Sequence, residues 1–251
     1  MSSNNFNVDL NQHIEANHAS KNAKYIKSIV YGGLDGIITT FSIIAAAVGA
    51  SLEMKYIISL GIANLFSDGL SMGLGDYLSE TFENDYIKSE RDKEIHEYEV
   101  NREYEIQELK ELFEEEGLQK EDSEKIVDIL ASKEEYKDVF IKYMLSLELG
   151  LELGDQDPKV NGLITFFSFI IFGSVPVLFY VIFYLFNYDN YESIFIINCF
   201  VSMITMFGLG VFQAKITKQN KVKGGLLIMF NGIVASSVAY LVGYSIQQSL
   251  N

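Results

Sequence analysis

Three stretches of the chain, 162–186, 193–214 and 224–246, contain no charged residue at all. A helix needs about 20 mainly apolar residues, rising roughly 1.5 Å each, to cross the hydrocarbon core of a bilayer, and each stretch is long enough. They are too long and too apolar for helices of an ordinary soluble core. Two further stretches, 28–51 and 56–78, meet the same length but contain Asp35 in the first and Asp68 and Asp76 in the second. The expected fold is therefore all-α, a polytopic membrane protein with five transmembrane helices.

Charge is distributed just as unevenly. The 251 residues carry a net charge of -15 although 49% of them are hydrophobic. Residues 80–159 hold 26 Asp and Glu against 11 Lys and Arg, and the rest of the chain holds 8 of each. The whole excess thus sits in one block between the second and third spans. So acidic a chain is a poor ligand for nucleic acid, which needs a basic face to displace counterions. One cysteine, Cys199, excludes an internal disulfide, and one Cys with three His cannot build a Cys/His zinc site. The organisation read from this is a polar tail over 1–27, spans 1 and 2 over 28–79, an acidic block over 80–159 and spans 3 to 5 over 160–251. The tail has no basic segment leading into an apolar one, so no cleaved signal peptide is expected.

Lysines flanking the spans set the expected orientation, since they are retained on the cytosolic side. Lys21, Lys24 and Lys27 precede span 1, and Lys215, Lys218, Lys221 and Lys223 fill the turn between spans 4 and 5. The turn between spans 1 and 2 has only Lys55, and the one between spans 3 and 4 has no lysine. The N-terminus and the acidic block are expected in the cytosol, and the C-terminus across the membrane. Gly32 with Gly36, and Gly69 with Gly73, form G-x-x-x-G pairs that let helix backbones approach closely in lipid, either within the chain or across a dimer. Pro176 is expected to kink span 3.

The acidic block reads as a three-helix insert. Residues 80–116 lack Pro and Gly, and Gly117 supplies a C-cap, so span 2 is expected to run into the first helix without a break. A second helix follows a cap near Asp122 or Ser123 and carries Ile126, Val127, Ile129 and Leu130. A third runs from Glu134 to Leu153, ending at Gly154.

An acid inside a span costs about 2.5 to 3.5 kcal/mol on insertion scales and by default marks a functional site. Asn64, Asp68, Met72 and Asp76 recur at i, i+4, which stacks them on one face of span 2. Hard oxygens with one thioether suit a divalent transition metal. Asp35 in span 1, with Thr39 one turn on, is placed to meet that stripe. In the insert, Glu94 and Glu97, Glu105 and Glu108, and Glu111 are spaced three apart, while Met144, Glu148 and Glu152 follow at i, i+4. Glu148 lies in the apolar phrase YMLSLELGLEL with no base nearby to pair with it.

The phrases GGLDGIITTFSI, ANLFSDGLSMGLGDYLSE and YMLSLELGLELGDQDP resemble the vacuolar iron transporter family, and the order of spans and acidic insert agrees over nearly the whole chain. The resemblance implies a five-span homodimer that moves Fe²⁺, and often Mn²⁺, from the cytosol into an organelle in exchange for protons. The family's path residues, the acid of L-D-G and the Met of S-M-G, fall on Asp35 and Met72. Its cytosolic metal-gathering set falls on Glu94, Glu97, Glu105, Glu108, Met144 and Glu148, a cytosolic metal-binding insert. Two positions depart from the pattern. Plant-type members carry Glu where this chain has Asn64, with Asp68 one turn later, and a second Met beside Met144 is replaced by Leu145.

The function expected is a secondary transporter for iron storage and detoxification, with Fe²⁺ as substrate, Mn²⁺ and Zn²⁺ as further candidates, and no permanently bound cofactor. No G-x-x-x-x-G-K-[ST] motif is present, so ATP is not expected to drive it. An alternative is a membrane-anchored metal sensor or buffer without transport, which leaves the intramembrane acids Asp35 and Asp68 unexplained. A di-iron oxidase needs paired Glu-x-x-His motifs, and only Glu15 and His18 have that spacing.

Overall fold

The computed structural model describes residues 3–152, 154, 157–186, 188 and 190–250, with side chains from Tyr25 onward; the Glu15 and His18 side chains lie outside that range. All regular structure among the described residues is helical: α1 (Ser3–Gly49), α2 (Met54–Val100), α3 (Arg102–Glu115), α4 (Lys120–Ala131), a 3-10 turn (Glu134–Tyr136), α5 (Lys137–Leu147), α6 (Pro158–Leu185), α7 (Tyr191–Ile216) and α8 (Lys221–Leu250). Five helices have segments long and apolar enough to cross a membrane: Tyr25–Gly49, Met54–Val100, Pro158–Leu185, Tyr191–Ile216 and Lys221–Leu250. The chain divides into two compact units, Met1–Tyr77 with Gln156–Asn251, and Leu78–Asp155.

In the first unit the five apolar helices pack through small residues. Lipid tails are as apolar as leucine, so helices associate there by close backbone contact rather than by hydrophobic burial. A Cβ on Gly32 would come within 2.7 Å of the Thr165 carbonyl oxygen on α6, and one on Gly36 would collide with the Phe169 carbonyl. Gly73 on α2 and Gly162 on α6 face each other in the same way, with the Gly162 carbonyl oxygen 2.8 Å from a Gly73 Cβ. Both G-x-x-x-G pairs are thus occupied by α6 of the same chain. The side chains between the helices form two apolar clusters. Ile44, Ala47, Met54, Ile57, Val177, Tyr180 and Ile194 make one, and Ile37, Phe41, Met206 and Leu209 the other. Pro158 opens α6 behind the Asp157 cap, and the helix continues through Pro176.

The second unit has four helical segments where the sequence predicts three. Helix α2 stops at Val100, Asn101 leaves the helical region (φ -129°, ψ 44°), and α3 starts at Arg102. Asn101 has both roles that end one helix and start another: its N–H closes on the Glu97 carbonyl, and its own carbonyl accepts from Tyr104 and Glu105. Glu103 and Glu105 then fill the first turn of α3, where the helix dipole favours acids. Gly117 terminates α3 with φ 101°, as its position suggests. Ser123 does not cap α4, which begins three residues earlier; its buried hydroxyl donates to the Lys110 carbonyl and ties α4 to α3. Helix α5 ends at Leu147, well short of Leu153, which lies outside the described residues. Gly150 takes the left-handed conformation (φ 64°) and turns the chain out, so Glu152 does not continue the Met144–Glu148 row. One apolar core holds these segments together, built from Tyr98, Leu109, Phe113, Val127, Phe140, Ile141, Met144 and Leu145.

Candidate metal centre

The break at Asn101 decides the geometry of the acidic unit. In an unbroken helix, Glu94 and Glu105 would lie about 16 Å apart along the axis. Instead, one carboxylate oxygen from each of Glu94, Glu97 and Glu105 falls within 4.8 Å of the others. That is close to twice a metal–carboxylate bond of about 2.0–2.6 Å, so three acids can converge on one divalent ion.

The electrostatics identify the rest of the set. Glu94 and Glu105 are each only 4% exposed. Burial first, and then the charges of Glu148, Glu97, Glu105 and Glu108, push the Glu94 carboxyl from 4.5 up to about 7. Burial and the charges of Glu108, Glu97 and Glu148 raise Glu105 to about 7 as well. Glu148, on the more exposed end of α5, is raised by partial burial of its carboxyl and by Glu108 and Glu97. Five of the six predicted insert residues therefore share one field.

Among the described residues no base forms an ion pair with them, although Lys93 lies within electrostatic reach of Glu97. Arg91 pairs with Asp138, Lys93 with Glu90, Lys110 with Asp128 and Lys137 with Glu99, all acids outside the set. The Glu94 Oε2 atom is buried and has no hydrogen-bond partner among the described residues. A buried, unpaired carboxylate is costly unless it is protonated or holds a cation. Met144, the sixth residue, is fully buried in the apolar core beside Tyr98 and Phe140, so packing accounts for its burial.

In the membrane-spanning unit, Asp35 on α1 and Asp68 on α2 lie within electrostatic reach of each other. Asn64, Asp68, Met72 and Asp76 are all half-buried along one face of α2. Their surroundings differ. The Asn64 amide nitrogen is buried with no hydrogen-bond partner among the described residues, while Asp76 accepts a hydrogen bond of 2.5 Å from the Thr165 hydroxyl on α6. Thr39 donates to the Asp35 carbonyl of its own helix, so its hydroxyl is not directed across to α2. Thr165 was not legible as a partner, because a threonine in an otherwise uncharged span carries no pattern of its own. The signal for Asn101 was present as Asn followed by Glu103 and Glu105, the composition of a helix N-terminus.

A family model described as the VIT family matches residues 26–244. The chain belongs to the VIT family. Named relatives align with it over most of its length. A vacuolar iron transporter of Toxoplasma gondii is 36% identical over 92% of this chain and 77% of its own length. One of Plasmodium falciparum is 32% identical over 98% of this chain and 90% of its own. The more distant vacuolar iron transporter 1 of Arabidopsis thaliana is 23% identical over 95% and 92%. The VIT-family match spans both the acidic set on α2, α3 and α5 and the intramembrane acids on α1 and α2.

Proposed function

We propose that this VIT-family chain is a secondary transporter that moves Fe²⁺, and Mn²⁺ as a second substrate, from the cytosol into an organelle in exchange for protons, serving iron storage and detoxification. The observation that carries the reading is the convergence of Glu94, Glu97 and Glu105 on one small volume, with no ion pair to any of them among the described residues. The relatives named vacuolar iron transporter support the choice of metal and compartment.

The chemistry follows from the carboxylates. An acid that is half protonated near neutrality releases its proton when a divalent cation arrives and loses the cation when the proton returns. In the acidic unit, Glu94, Glu97, Glu105, Glu108 and Glu148, with Met144 as a sixth candidate ligand, collect the ion. In the membrane, Asp35, Asp68 and Met72 carry it, with Asn64 and Asp76 on the same face of α2. Asp76 serves this path partly through Thr165, which fixes its carboxylate. The lysine bias supports a cytosolic N-terminus and acidic unit with a lumenal C-terminus, and the family resemblance supports a homodimer.

Reconstitution tests this directly. Proteoliposomes with an acidic lumen should accumulate Fe²⁺ and Mn²⁺, and dissipating the pH gradient should stop them. Saturable Fe²⁺ binding without accumulation under any gradient would replace transport with the sensor or buffer reading.

A further inference from the structure

We propose that the turn joining α7 to α8, together with the first three turns of α8, binds an anionic phospholipid. A groove there is lined by Asn220, Val222, Lys223, Leu226, Leu227 and Phe230. Lys223 is the charged residue of that lining, and the turn leading into it carries three more lysines. Lys215, Lys218, Lys221 and Lys223 are all exposed, and no Asp or Glu follows Glu192 in the chain. None of the ion pairs among the described residues uses these lysines. Four cations within nine residues thus have no acid on α8 to answer them, and the one acid of α7, Glu192, sits in its first turn at the opposite end of that helix, in a chain whose net charge is -15.

The other end of the groove is apolar and open. Val222, Leu226, Leu227 and Phe230 are each roughly half exposed or more. Lys223, Leu227 and Phe230 follow at i, i+4 and i+7 on one face, which places the aromatic ring about 10 Å along the axis from the lysine. A headgroup phosphate on the lysines would leave its acyl chain along that face. The Asn220 carboxamide oxygen already accepts the N–H groups of Val222 and Lys223, at 3.1 and 3.2 Å, so those two amides are taken and the ammonium groups remain as anion ligands. A soluble anion would use the lysines alone and leave the apolar half of the groove idle. The same lysine bias that predicts this turn on the cytosolic face sets it against the leaflet richer in anionic lipid.

Native mass spectrometry and thermal melting of the purified full-length protein, titrated with phosphatidylserine or phosphatidylcholine in detergent, test the assignment. Phosphatidylserine should be retained and should raise the melting temperature, with phosphatidylcholine doing neither. Lys221→Gln with Lys223→Gln should weaken phosphatidylserine binding by about 30-fold, the effect of two membrane-facing lysines, and leave melting in phosphatidylcholine unchanged. Lys221→Arg with Lys223→Arg should retain it, and Phe230→Ala should weaken it. Equal retention of the two lipids, or no effect of the double Gln variant, would leave the lysines as topology signals only and overturn the proposal. Stabilisation by inorganic phosphate equal to that by phosphatidylserine would overturn it in favour of a soluble anion.

Discussion

Glu94 on α2 and Glu105 on α3 are both buried and both rest near neutrality, and they share a site with Glu97 only because the helix breaks at Asn101. The break converts a solvated acidic row into a site with inward-facing carboxylates. Like charges gathered in a half-dry volume repel one another, and a divalent ion or protons must relieve that repulsion.

The repulsion sets a pH dependence with a definite sign. Both carboxyls are raised from 4.5 to about 7, so the folded unit holds protons that the unfolded chain has released. Stability without metal must therefore fall as pH rises from about 4.5 to about 7, the reverse of the usual behaviour of a paired carboxylate. Thermal melts of the full-length protein in chelator should show this fall, and Glu94→Gln with Glu105→Gln should flatten it. A flat wild-type profile across that window would mean that the acids are solvated and uncoupled.

Metal should act in the opposite direction. At pH 7.5, Fe²⁺ or Zn²⁺ should raise the melting temperature more than Mg²⁺, which sheds water reluctantly and seldom occupies all-protein cages. Glu148→Gln should erase much of that difference, because Glu148 acts on both Glu94 and Glu105. Glu121→Gln should not, since Glu121 lies in the first turn of α4 and contributes to neither. Equal losses from the two substitutions would assign the effect to diffuse surface charge.

How much of this could be read from the chain depends on the range of the interaction. Five apolar helices were legible because transfer into lipid depends on local composition alone. Glu94, Glu97, Glu105, Glu108 and Glu148 could be picked out as a set, the last from its apolar surroundings and the others from spacing and family resemblance. Their convergence could not, because it depends on the two dihedral angles of Asn101 in a run that otherwise favours unbroken helix. The early end of α5 is hidden in the sequence for a similar reason: Gly150 and Gly154 both offer a stop, and the conformation taken at Gly150 decides between them. In the membrane, Asp68 and Asp76 look alike on one stripe, and only the packing of α6 gives Asp76 its partner in Thr165.

Asp35 and Asp68 give the proposed path its own test. Asp35→Asn keeps the volume and removes the charge, and it should abolish Fe²⁺ uptake into proteoliposomes while leaving melting close to wild type. Met72→Leu nearly conserves shape, so it should lower uptake of transition metals with a stability change under about 1.5 kcal/mol. Wild-type uptake by a folded Asp35→Asn protein would remove Asp35 from the path. Loss of every divalent ion alike in Met72→Leu would point to packing rather than to the thioether.

The glycines supply a prediction in which packing and helix propensity oppose each other. Alanine is the better helix former by about 1 kcal/mol, so Gly→Ala in a helix should stabilise wherever there is room for a methyl group. Gly75 on α2 has nothing within 4 Å of where its Cβ would stand, and Gly75→Ala should leave the melting temperature unchanged or raise it. At Gly36 the same methyl would collide with the Phe169 carbonyl, a backbone atom that cannot rotate away, and α1 and α6 must separate to admit it. Overpacking of that kind costs about 1–3 kcal/mol, which outweighs the gain in propensity, so Gly36→Ala should melt lower. Melts of both variants in the same detergent decide the matter. Equal stability at Gly36 would show that α1 and α6 are not in backbone contact. A loss at Gly75 would show that a second chain packs against that face of α2.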